Sequence, residues 1–194
     1  MSFLLSLSRL IDKLNEKIAH GISWALLLAV LICSGNALIR YTFNTSSNAW
    51  LEIQWYLFAA IFLLATSNTL RRDEHIRIDV ISGKLPKRVQ VWIDIFGFAV
   101  FLLPISIIIL YYSLPYVQLS MQANEMSSNA GGLIVWPAKI LIPIGFFLLT
   151  LQGLSELIKR VGYLMGKVDA SEFERHVATP EEEIEAIKAA NKIN

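Results

Sequence analysis

Hydrophobic and polar positions fall along this chain in long blocks. Four of the apolar blocks are long enough to cross a bilayer, whose hydrocarbon core of about 30 Å needs roughly 20 mostly apolar residues per helix. Residues 22–39 carry no charge at all. Residues 51–70 hold a single charge, Glu52, at their start; residues 91–112 hold Asp94 near theirs; residues 133–154 hold Lys139. The pattern predicts an all-α membrane protein with four transmembrane helices in one membrane domain covering residues 1–165. Residues 2–19 read differently. Phe3, Leu7, Leu10, Leu14 and Ile18 form a stripe widened by Leu4 and Ile11, opposite Arg9, Asp12, Lys13, Glu16 and Lys17. That spacing predicts an amphipathic helix lying in the membrane interface. Between spans two and three, residues 71–90 place Ile76, Ile78, Val80, Ile81 and Leu85 among charges. They predict an amphipathic cytoplasmic connector that breaks at Gly83 and restarts near Pro86. Residues 166–194 form a polar tail, in which Thr179-Pro180-Glu181-Glu182 supplies the start signals of a short helix.

Charge adds an orientation to this layout. Lys and Arg number three before the first span, six between spans two and three, and six in the tail. The connection after span one has only Arg40, and the one after span three has none. Positive-inside bias therefore places both termini in the cytoplasm. All five tryptophans, Trp24, Trp50, Trp55, Trp92 and Trp136, stand near predicted span ends, where amphipathic rings settle among headgroups. Residues 40–43 (Arg-Tyr-Thr-Phe) follow the first span where a signal peptide would need small residues, so that span is read as retained. Composition agrees: 55% of the 194 residues are hydrophobic and 17% charged, against about 45–50% and about 25% in soluble domains. A net charge of +1 gives no basic nucleic-acid surface, and the lone Cys33 excludes an intrachain disulfide.

Ionisable groups inside spans are the first places to look for function. Glu52 either pairs with Arg40 or reaches water, unless it titrates or binds a cation during transport. Asp94 is expected to bridge to Arg71 or Arg72. Lys139 pairs with Glu125 in the chain, or with an acid from another protein. Glu156, Lys159 and Arg160 are spaced as a helical ion cluster. Thr66-Ser67-Asn68 and Ser34-Gly35-Asn36 suit close helix approach and interhelical hydrogen bonds, and Pro104, Pro137 and Pro143 suit kinks. His20, His75 and His176 lie outside the spans, so a bis-histidine haem has no ligands there, and no phosphate loop, zinc-protease or nucleophile-elbow motif occurs. The residues point to a non-enzymatic scaffold without a cofactor. No inverted repeat or pair of broken half-helices marks a substrate site of its own.

The order of these features resembles the small membrane subunit (DctQ-type) of the tripartite ATP-independent periplasmic, or TRAP, transporters. The stretch that carries the resemblance runs from Arg40-Tyr41-x-Phe43 through Trp50-x-Glu52 to Arg72-x-x-His75-Ile76-x-Ile78-Asp79 and Leu85-Pro86. Gly131-Gly132-Leu133, Trp136-Pro137-x-Lys139 and Leu151-Gln152-Gly153 extend it. The departure is Ile53, where the family often has a second acid. The resemblance implies residence in the bacterial inner membrane and two partners: a large permease subunit (DctM-type) that binds sodium and substrate, and a periplasmic substrate-binding protein (DctP-type). It implies uptake of an organic acid or similar solute, with the small subunit bracing the large one and helping to dock the periplasmic protein. Arg40, Trp50, Glu52 and Lys139 then become candidates for outer or partner-facing contacts, and Arg72, His75 and Asp79 for organising the connector. The competing expectation is a self-sufficient oligomeric transporter or channel using Glu52 or Lys139.

Overall fold

A computed structural model of the chain describes residues 2–45, 47–73 and 85–169. The described residues form four helices, each long and apolar enough to cross a membrane: α1 (Ser2–Phe43), α2 (Asn48–Arg71), α3 (Lys87–Gln122) and α4 (Trp136–Leu164). The connector's His75 and Asp79 and the tail helix at Thr179 lie outside the described residues.

Each helix ends the same way. The residue just past it, or one further on, has a positive φ: Asn44 (50°), Asp73 (52°), Asn124 (45°) and Gly166 (68°). Asn, Asp and Gly tolerate this left-handed conformation, which lets the last backbone carbonyls find donors. At the end of α3, the Glu125 N–H reaches the Ser120 carbonyl at 3.1 Å and the Asn124 N–H the Met121 carbonyl at 3.2 Å. Span three was expected to stop at residue 112. It continues to Gln122 because nothing in Ser113–Gln122 breaks a helix except Pro115, and Asn124 supplies the stop.

The separate interfacial helix is not found. Residues 2–43 form one helix, for lone Gly21 weakens a helix by only about 1 kcal/mol and Ser23 Oγ bonds back to the Ala19 carbonyl at 2.9 Å across the expected break. At about 1.5 Å per residue, its 42 residues run roughly 63 Å, twice the hydrocarbon thickness. Ser8, Ile11 and Asn15 face the bundle, whereas Phe3, Leu10 and Leu14 point out.

Prolines shape the other two long helices. Pro104 has no N–H for the preceding turn, and Gly97–Leu102 widens there into a π-helix in which the Leu103 N–H reaches back five residues to Phe98. Pro143 likewise leaves the Lys139 carbonyl without its helical donor, and α4 is interrupted at Ile140 before Leu141–Leu164.

Helix α4 packs against all three others, while α1 and α2 pack on each other and the main neighbour of α3 is α4. Two glycines make room. A Cβ on Gly145 would lie 2.8 Å from Leu63 Cβ and 2.9 Å from the Leu63 carbonyl oxygen of α2. One on Gly153 would meet only the Leu102 and Leu103 side-chain ends of α3. The interior left between the helices is polar. Arg160, Gln152, Glu156, Asn15, Ser8, Ser67, Ser106 and Ser155 are the largest fully buried side chains, and Trp24, Phe62, Tyr111 and Leu119 face outward. In lipid, apolar side chains gain little by facing one another, so small and polar residues make the helix contacts.

Candidate functional site: a buried polar network and an anchored loop

At the end of the bundle where α2 finishes, polar side chains from three helices converge on Gln152 of α4. Its carbonyl oxygen accepts from Asn15 Nδ2 of α1 at 2.7 Å, and Asn15 Oδ1 accepts from Ser67 of α2 at 3.0 Å. The Gln152 amide donates to Asp12 Oδ1 at 2.8 Å and to Glu156 Oε1 at 3.0 Å. Ser155 donates to Asp12 at 2.9 Å and lies 2.7 Å from the Ser8 hydroxyl. Lys159 bridges Asp12 (3.2 Å) and Glu156, and Arg160 bridges Glu156 and Asp94 of α3 (3.0 Å) while lying over the Phe98 ring at 4.5 Å. The residues follow helical spacing: 8, 12 and 15 on α1, and 152, 155, 156, 159 and 160 on α4. Each helix thus presents a polar stripe to the other. Removing one member leaves buried charges or amides unpaired, which is far costlier than the net worth of any one bond.

At the opposite end, Glu52 in the first turns of α2 is 3% exposed. Its carboxylate accepts from the Ser127 hydroxyl, from Asn129 Nδ2 at 2.9 Å and from the Leu133 N–H at 2.6 Å. All three donors belong to the α3–α4 loop. That loop is a small hairpin, with Met126 bridged to Ile134 and the Ser127 N–H bonded to the Leu133 carbonyl at 2.9 Å. Gly132 is required there, because a Cβ would come within 2.6 Å of Ser127 Cβ and 2.7 Å of Glu52 Oε1. Asn48 Nδ2 adds a bond to the Ala130 carbonyl at 2.9 Å, and Tyr56 one to Ile134 at 3.0 Å. Lys139 pairs with Glu125 and sits 4.1 Å over the Tyr116 ring. Its hydrogen bond holds the Glu125 carboxyl below the usual carboxylate range.

Glu52 and Lys139 are thus brought together on one loop, by different partners. Arg40 is exposed on α1 beside Asn36 and Gln54, not paired with Glu52. Trp50 is half-exposed at the start of α2, and Arg72 caps its far end. Asp94 meets Arg160, and Arg71, one of the two partners the sequence suggested for it, is engaged by Glu16 at 3.4 Å and Asn68 at 3.1 Å. Ser34 is exposed, whereas Asn36 is half-buried and lines a cleft with Leu51 and Gln54 of α2. The Glu156–Lys159–Arg160 cluster forms as spaced, and it also reaches α1 and α3. Sequence reasoning missed Asp12 and Gln152 as its partners, and Asn15 as the residue that ties Gln152 to Ser67 of α2. The signal was there in the matching polar stripes of α1 and α4. Among the described residues, no three His, Cys, Asp or Glu side chains converge as a metal site would need.

A family model described as the DctQ component of tripartite ATP-independent periplasmic transporters matches residues 22–162. No curated protein matches the chain.

Proposed function

The chain belongs to the DctQ component family of tripartite ATP-independent periplasmic transporters, and from that premise we propose that it is the non-catalytic brace of a sodium-coupled uptake system. It is the small permease subunit of a multi-pass membrane transporter. In this reading it lies in the bacterial inner membrane with both termini cytoplasmic. It holds the large DctM-type subunit in place and helps to dock a DctP-type periplasmic protein that delivers an organic acid or similar solute. Sodium binds in the large subunit.

One observation carries the reading. The charged side chains Glu52, Asp94, Lys139, Glu156, Lys159 and Arg160 of the spans each hold an in-chain partner that fixes a helix or a loop. Groups so committed suit a rigid scaffold. They suit a conducting path poorly, because releasing any of them strands its buried partner. The self-sufficient channel that uses Glu52 or Lys139 would have to break the loop hairpin in every cycle.

The test is reconstitution with and without a large permease subunit encoded beside this chain. Sodium-driven uptake is expected only with both, and uptake by this chain alone would overturn the proposal. Tagged chain should also retain the large subunit through detergent extraction.

A further inference from the structure

Between the halves of α1 and α2 that flank the polar network lies a cleft of about 570 Å³. Lys13 and Lys17 of α1 and Arg72 of α2 line one end of it, its mouth, and by helix position Leu26, Ile61 and Ala65 line the other end, its depth. We infer that this cleft is a binding site for an anionic glycerophospholipid, with the phosphate at the lysines and an acyl chain along Leu26 and Ile61.

The polarity of the cleft carries the argument. From Arg72 back to Ile61 the wall is eleven residues of helix, roughly 16 Å, close to half of the ~30 Å hydrocarbon core. A basic mouth and an apolar depth over the length of one leaflet match a headgroup joined to a chain. A free anion would use the mouth alone. The charge at the mouth is net positive. Glu16, the acid in the lining, is engaged by Arg71 at 3.4 Å, and Lys13 and Lys17 form no ion pair among the described residues. Lysines near a lipid surface attract anionic headgroups over zwitterionic ones. The inference does not depend on which proteins the chain assembles with.

Native mass spectrometry of the full chain released from detergent micelles tests it, with phosphatidylglycerol, phosphatidylcholine or inorganic phosphate added. The expected result is a one-to-one adduct with phosphatidylglycerol that phosphatidylcholine does not match and phosphate does not displace. The double variant Lys13→Gln/Lys17→Gln should weaken it roughly thirtyfold, as two lysines near a headgroup would. Leu26→Trp should weaken it with the charges intact, and circular dichroism should show both variants fully helical. Equal binding of the two lipids would overturn the inference, as would an unchanged double variant or displacement by phosphate. So would crosslinks from Lys13 that replace the adduct with an acidic segment of a co-expressed large subunit.

Discussion

Gln152 is the residue through which three helices hold one another. Gln152→Leu would keep most of its volume and leave Asn15 and Asp12 without their amide partner. The expected loss is about 1–3 kcal/mol, read as a lowered midpoint in denaturant titration in micelles. Lys139 makes a contrasting case. Lys139→Glu sets two acids side by side and should loosen the α3–α4 loop, and the swap Lys139→Glu/Glu125→Lys should restore it; limited proteolysis after residue 123 reads both. The pair also has a sign in pH. The Glu125 carboxyl is held below its usual range by Lys139, so its contribution is present above the unfolded carboxylate pKa and lost as pH falls through the lower folded value. Amide exchange in residues 123–135 should therefore stay slow at neutral pH and rise only on strong acidification. At this scale the sequence showed which charges were unusual and named Glu125 as a partner for Lys139, which the structure pairs, but not the partners of Glu52. Glu52 and Lys139 stood out because a charge in an apolar block is rare. The partners of Glu52 sit in a loop of neutral residues, Ser127, Asn129 and the Leu133 backbone, and loop geometry leaves no periodic trace.

Single elements follow the apolar blocks closely, and their ends follow local chemistry. Arg71 and Phe43 end helices because Asp73 and Asn44 take positive φ, which block length alone does not reveal. The merging of residues 2–19 with the first span was illegible for a different reason. An amphipathic stripe looks the same whether its polar face meets water or the polar stripe of α4. Two glycines of α4 give an element-scale test. Gly145→Ala forces a methyl group against the backbone of Leu63 and should cost about 1–3 kcal/mol. Gly153→Ala meets only flexible leucine ends and should cost less. Thermal unfolding of the two variants in the same detergent gives the order. Gly21→Ala should instead raise the midpoint, as nothing lies within 4 Å of the added Cβ and a helix-interior glycine is replaced.

For the molecule as a whole, the proposed sidedness has a direct readout. In a Cys33→Ser background, Asn129→Cys should react with a membrane-impermeant maleimide on intact cells, and Arg9→Cys only after permeabilisation. The reverse pattern would invert the topology. Helix number and order were legible because lipid imposes length and apolarity on every span. The inside-out interior was less so, since polar residues scattered through apolar blocks show their common face only once the helices are set side by side.

That interior also sets a timetable for biogenesis. Asn15 and Gln152 are 137 residues apart, so at synthesis rates of about 5–20 residues per second the polar stripe of α1 emerges roughly 7–27 seconds before its counterpart. Through that interval Asp12 and Asn15 must be shielded by the insertion machinery or by water at the membrane edge. A nascent chain that stops before α4 keeps them unmatched, and it displays the kind of unmet polarity that membrane proteases can recognise. The last of the four spans made is the one that releases the first from surveillance.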